Sequence, residues 1–175
     1  MINLKGEKIL LRALEPNDLD IIYDWENDVS AWVESGNLVP ISKYSVESYI
    51  NTQDDIYSSK NMKLIIEADK KVVGHIDIFE FEPVNRRAGV GLLVTEDERN
   101  KGYAGDALDV LIIYGFDVLR LHQIYCNIVT DNEISLKLFK KHGFEIIGCK
   151  KDWVQIANVW KDVYMLQLIN DEKSI

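Results

Sequence analysis

The run from Val90 to Gly105 constrains this chain more than any other. Val90, Leu92, Leu93 and Val94 form an apolar strand pattern, and Arg99-Asn100-Lys101-Gly102-Tyr103-Ala104-Gly105 follows it. Ala104, Ala107, Leu108, Leu111, Gly115 and Val118 then recur at helical spacing, which predicts a helix from Gly102 to about Leu119. Strand, tight turn, helix: that order presents a row of unpaired backbone N–H groups at a helix start. Together with the helix dipole they favour an anion, above all a phosphate. Gly102 and Gly105 remove side chains that would block close approach of the backbone, and Ala104 is nearly as small. Arg99 and Lys101 add positive charge. The spacing fits neither the Walker nor the dinucleotide pattern.

The rest of the chain supplies a mixed α/β framework. Lys8 to Arg12 reads as a first strand, and Leu14 to about Val29 as a helix with Pro16 in its first turn. Gly36, Asn37 and Pro40 mark a loop from Ser30 to Ser42, and Ser45 to Tyr57 is a second helix. Leu64–Ala68 and Val72–Glu80 are two strands around a turn at Asp69-Lys70-Lys71, with alternation running on through Phe81 and Glu82. Gln123–Val129 is a further strand. Thr130-Asp131-Asn132 offers an N-cap for a short helix, Glu133 to Lys141, which Gly143 ends. Phe144–Lys150 and Val159–Leu168 are the last strands. The reading is one α/β domain over 1–175, core about 8–168, with about seven strands and about four helices on both faces of one sheet.

Composition narrows the function. The chain has 175 residues and a net charge of −9, which disfavours nucleic acid as a partner and favours a cationic one. The two cysteines, Cys126 and Cys149, form no CxxC pair, so neither a disulfide framework nor a metal site is expected. No apolar run approaches the ~20 residues of a membrane helix, and no leader is visible. The expectation is a cytoplasmic protein that engages no membrane.

The order Arg99-x-x-Gly102-x-Ala104 resembles the pyrophosphate-binding signature of the GNAT superfamily of acyl-CoA-dependent N-acyltransferases. Asn132-Glu133-Ile134-Ser135 and Leu138 to Glu145 resemble the same family's second motif. Val84 to Ala88 looks like the spermidine N-acetyltransferase branch. Leu10 to Leu19 looks like both that branch and the ribosomal-protein N-terminal acetyltransferases. The resemblance implies a splay between the fourth and fifth strands, with the pantetheine arm of acetyl-CoA bridging the gap. It assigns Leu92, Leu93 and Val94 to acetyl and pantetheine, and Arg99, Asn100, Lys101, Gly102, Tyr103, Ala104 and Gly105 to the pyrophosphate. Asn132 is assigned to the pantetheine arm, and a simple helix cap is its other reading. The implied reaction is direct acetyl transfer to an amine, with no metal.

Two departures from the family bear on the chemistry. Its usual thiolate donor is a Tyr where this chain has Phe139, which has no proton to give. A Glu often found early in the central strand gives way to Ala88-Gly89-Val90-Gly91. Water, Ser135 or Tyr164 stand as substitute donors. Asp77, Glu80 and Glu82, with Glu34 in the loop, are either an acidic lining for a polyamine, with a base among them, or a solvated face. In the spermidine branch, some of the positions matching Asp77 and Glu80 serve regulatory polyamine or cation binding. His75 reads as a base or as a partly buried, satisfied histidine; His122 and His142 read as structural. Trp25, Trp32 and Trp153 read as acceptor-groove or core residues. The leading expectation is acetylation of a small polyamine-like amine. The alternatives are acetylation of a peptide N-terminus, as in ribosomal proteins, and a catalytically weak acetyl-CoA sensor. Homo-oligomers occur among such relatives.

Overall fold

The computed structural model describes residues 4–28, 39–52 and 55–171. Seven strands form one sheet in the order β1-β2-β3-β4-β5-β7-β6. They are β1 (Leu10–Ala13), β2 (Met62–Ala68), β3 (Lys71–Glu82), β4 (Arg87–Val94), β5 (Gln123–Val129), β6 (Glu145–Ile156) and β7 (Val159–Ile169). The described helices are α1 (Leu19–Glu26), α2 (Lys43–Asn51), α3 (Ile56–Ser59), α4 (Tyr103–Asp117) and α5 (Glu133–Lys141). Short 3-10 turns cover Pro16–Asp18 and Glu96–Glu98.

The second helix expected from Ser45 to Tyr57 is two helices, each with its own cap. The Ser42 hydroxyl accepts from the Ser45 N–H at α2, and the Asp55 carboxylate accepts from the Tyr57 N–H at α3. The central strand starts at Arg87, earlier than its apolar run suggests, because Ala88 and Gly89 pair with β5. Glu34, Trp32 and most of the loop they belong to lie outside the described residues.

Strand alternation sorts the side chains onto two faces. Ile65 turns one way and packs with Leu14, Ile22, Val46 and Ile50 under α1 and α2. Leu64, Ile66, Ile76, Ile78 and Val90 turn the other way, onto Ala107, Leu108 and Leu111 of α4. Each fully buried aliphatic side chain of this kind contributes about 1.5–3 kcal/mol. The alternation in β3 does not run through unbroken. The β3–β4 register shifts between Phe79 and Glu82, and Glu80 takes φ +49°. That bulge returns Phe81 to the α4 face, where it is buried in the core, and leaves Glu80 exposed.

The β4–β5 pair is parallel and short. Only Arg87, Ala88 and Gly89 pair, with Gln123, Ile124 and Tyr125; beyond them β4 runs on to Val94 and β5 to Val129 without each other. Each strand keeps its other neighbour, β3 or β7. The two central strands therefore part in a V.

Candidate functional site

A cleft of about 390 Å³ occupies the V. Val90 to Leu93 line one wall and Cys126 to Val129 the other. The cleft is open to both faces of the sheet. Asn132, Ser135 and Phe139 of α5 line it on one side, and Trp25, Glu26, Lys63, His75 and Asp77 line it on the other.

The α5 side leads toward the turn before α4. Gly102, at φ +85°, is the N-cap of α4 and gives it no side-chain cap. The caps of α2, α3 and α5 are filled by Ser42, Asp55 and Asn132. The first N–H groups of α4 thus have no side-chain cap, at the positive end of a 15-residue helix. A Cβ on Gly102 would lie 3.0 Å from Lys8 Nζ, which itself donates to the Lys101 carbonyl. Arg99 donates from Nε to the Val94 carbonyl at 3.2 Å, tying the turn to the end of β4. The Lys101 charge is not open as the sequence suggests. Its Nζ pairs with buried Glu98 at 2.7 Å, and Lys71 holds the other oxygen of that carboxylate at 2.5 Å. These two cations keep the Glu98 carboxyl below the ordinary range.

Asp106, in the first turn of α4, has a part that no local pattern announces. Its carboxylate accepts from the backbone N–H groups of Glu7, Lys8 and Ile9, at 3.0, 2.6 and 3.0 Å. The N-terminal segment is thereby pinned beside the anion turn. His142 covers Gly105: a Cβ there would lie 3.1 Å from His142 Nε2, while Nδ1 bonds Asp109 at 2.6 Å.

Asn132 caps α5, its Oδ1 accepting from the Ser135 N–H at 3.1 Å, and it also faces the cleft. Phe139 faces the cleft as a buried ring, edge-on to Phe144 at 5.0 Å. Tyr164 packs against the core on the α4 face and is not among the residues lining the cleft. Cys126, on the β5 wall, is a thiol throughout the neutral range, because burial pushes it up to about 12.

The opposite side is charged. Register places Ile65, His75 and Leu93 in one cross-strand row and Lys63, Asp77 and Gly91 in the next. Lys63 Nζ lies 3.0 Å from Glu26 and 3.7 Å from Asp77. His75 Nδ1 lies 3.1 Å from Asp77, and the His75 ring packs against Trp25 at a tilt of 40°, centroids 5.3 Å apart. Burial works to raise the Asp77 carboxyl, but the His75 hydrogen bond and the charges of His75 and Lys63 outweigh it and hold it below the ordinary range. A strand pattern His75-x-Asp77 puts both groups on one face and was legible; no local signal joins Glu26 and Lys63 to them.

Glu80 and Glu82 do not line the V. They border an adjoining groove with Tyr125, Arg87, Lys60 and Lys150, which meets the cleft at Asn127 and Trp153. Tyr125 donates to Glu80, and Glu82 pairs with Arg87 at 2.7 Å. Among the described residues no cluster of His, Cys, Asp or Glu fits a metal ion, and no helix is long and apolar enough to cross a membrane.

Comparison with known proteins agrees with this geometry. Residues 8–145 match the family model described as "Acetyltransferase (GNAT) domain". Spermidine N(1)-acetyltransferase of Escherichia coli K12 is 26% identical over 150 residues, covering 82% of this chain and 76% of that protein. The enzyme of the same name from Vibrio cholerae is 26% identical over 93% of this chain and 95% of its own length. A crystal structure of spermidine N-acetyltransferase from Vibrio cholerae, in complex with CoA and spermine, superposes with a TM-score of 0.85 at 22% identity, covering 94% of this chain and 96% of that one.

Proposed function

The chain belongs to the GNAT acetyltransferase family, and from that premise we propose that it moves the acetyl group of acetyl-CoA to a primary amine of a polyamine. The observation that carries the choice of acceptor is the acidic pair Glu26 and Asp77 on the side of the cleft away from α5. Two carboxylates against the single Lys63 charge between them, in a chain of net charge −9, favour a cationic acceptor over a neutral or acidic one. Two relatives named as spermidine N(1)-acetyltransferases support the same reading.

The residues present fit acetyl-CoA. The unpaired inner edges of β4 and β5 offer backbone N–H and C=O groups that the pantetheine amides would bond. Leu92, Leu93 and Val94 would present those groups on β4, and Asn132 on α5 faces the same space. The residues Arg99 to Gly105, with the uncapped start of α4, would hold the pyrophosphate. Acetyl-CoA supplies an activated acetyl group. The chain's part is to hold the acceptor nitrogen in line with it and to take up the proton that an ammonium must lose before it has a lone pair. Cys126, held as a thiol, is unsuited to carrying the acetyl group itself, which favours direct transfer. The exposed edge strand β6, with Ile146 and Ile147 partly open, is a surface on which copies of the chain would associate.

The test is release of free CoA thiol from acetyl-CoA with spermidine, spermine, and short peptides starting in Ala or Ser. Turnover on the polyamines is expected. Turnover on peptides alone would move the chain to N-terminal acetylation. Tight acetyl-CoA binding without thiol release would make it a sensor.

A further inference from the structure

We propose that His75 is the general base of the transfer, with Asp77 as the residue that positions it. The proposal rests on the acetyltransferase reading above and adds a residue to it. His75 lies in β3 directly across from Leu93 of β4, the wall of the V, and lines the cleft. Its Nδ1 is held by both carboxylate oxygens of Asp77, at 3.2 and 3.1 Å. Trp25 packs against its ring at a tilt of 40°, centroids 5.3 Å apart. Its Nε2 has no protein partner among the described residues. Among the described residues no fully buried side-chain polar atom is left unpaired, and His75 lines the cleft, so Nε2 is not sealed from it.

This is the arrangement that general-base catalysis requires: one ring nitrogen bound to a carboxylate, which fixes the tautomer, and the other free with its lone pair toward the substrate. The charged groups around the ring are Asp77 on its own strand, Lys63 on β2 and Glu26 on α1. The facing strands β4 and β5 contribute Gly91, Leu93 and Asn127 to the cleft, none of them titratable in the neutral range. Lys63 keeps Asp77 an anion, so Asp77 orients the imidazole and stabilises its protonated form without taking the proton itself. Lys63 lies between the carboxylates of Glu26 and Asp77, which leaves His75 as the acceptor of protons among the described residues on this side of the cleft.

The step balances as follows. The acceptor ammonium gives one proton to His75 Nε2. The freed amine uses its lone pair to form the C–N bond to the acetyl carbon. The C–S bond breaks with its electron pair going to sulfur, and the nitrogen's surplus proton goes to that sulfur, so CoA leaves as the thiol. His75 returns its proton to solvent. No donor at position 139 is called for, which accords with the phenylalanine found there.

The deciding experiment pairs kinetics with nitrogen NMR of the 15N-histidine protein, in which only three histidines contribute. The neutral form of His75, identified by its loss in His75→Gln, is expected to carry its proton on Nδ1. Asp77→Asn should move that proton toward Nε2 and lower kcat/KM for the amine about tenfold. His75→Gln should lower it about a hundredfold or more, and should abolish the acid limb of the pH profile. Its dissociation constant for acetyl-CoA should stay within threefold. A native His75 protonated on Nε2, or a His75→Gln enzyme within threefold of the native one from pH 6 to 9, would overturn the proposal. A native chain that acetylates no amine would defeat the functional reading instead, and the tautomer measurement would still decide the role of His75.

Discussion

The ring of Phe79 lies over Gly89: a Cβ built on Gly89 would stand 2.2 Å from Cε2 of that ring. The two residues pair across β3 and β4, and Phe79 also meets Tyr125 of β5 edge-on at 5.9 Å. The space beside Gly89 is thus filled by an aromatic ring. Gly89→Ala should lower the urea midpoint by the equivalent of about 1 kcal/mol, because the partly exposed ring can swing aside. Phe79→Ala combined with Gly89→Ala should then cost less than the sum of the two single changes.

Gly74 gives the contrasting case. A Cβ there would lie 2.1 Å from the Leu93 carbonyl oxygen, which is backbone and cannot swing away. Gly74→Ala should therefore cost about 2–3 kcal/mol by chemical denaturation, more than Gly89→Ala. It should also raise KM for acetyl-CoA, since the backbone displaced is the cleft wall.

Asp106 joins the N-terminal segment to the first turn of α4 through three N–H bonds. Asp106→Ala should reduce stability by about 1–2 kcal/mol, part of the loss being recovered by water at these exposed groups. It should raise KM for acetyl-CoA several-fold while leaving kcat for saturating substrates within twofold. A change confined to kcat would count against the placement of the anion site at this turn.

Acid should unfold the chain partly through Asp18. This side chain is buried, is clasped by Arg12 at 2.7 Å and accepts from the Glu15 N–H. Burial works to raise its carboxyl, but those bonds outweigh it and hold it low, and they hold Arg12 high. A carboxylate depressed on folding stabilises the native state above its unfolded value of about 3.9 and loses that contribution as pH falls through the folded value. Urea midpoints should therefore drop below about pH 4. Asp18→Asn should be less stable at pH 7 by about 3 kcal/mol and should show a shallower acid slope.

Phe139→Tyr tests whether the departing sulfur needs a separate acid. The nitrogen's own proton serves the sulfur in the route above, so kcat should change less than threefold. A tenfold gain would show that proton delivery to sulfur limits the native chain. Because the ring is buried against Phe144, thermal melting should accompany the kinetics to separate the added hydroxyl from a packing loss.

The sequence by itself determined what depends on neighbours along the chain. Apolar period placed the strands and α4, Asn132 and Gly143 delimited α5, and the glycine at position 102 marked the turn, since each signal is a property of a few successive residues. The V between β4 and β5 was expected from family resemblance, and the register bears it out by ending at Gly89 and Tyr125. Only the tertiary structure decided which charges meet. Lys101 read as added positive charge at the turn, and its partner Glu98 is fixed only by the fold. Glu80 read as a continuation of β3 and is turned aside by a bulge into a neighbouring groove. Glu26, Lys63, His75 and Asp77 come from three elements, and Lys63 reaches Glu26 across 37 positions of chain. A charge exerts its effect over a few ångströms of space, and sheet register and helix packing, not order along the chain, set those distances.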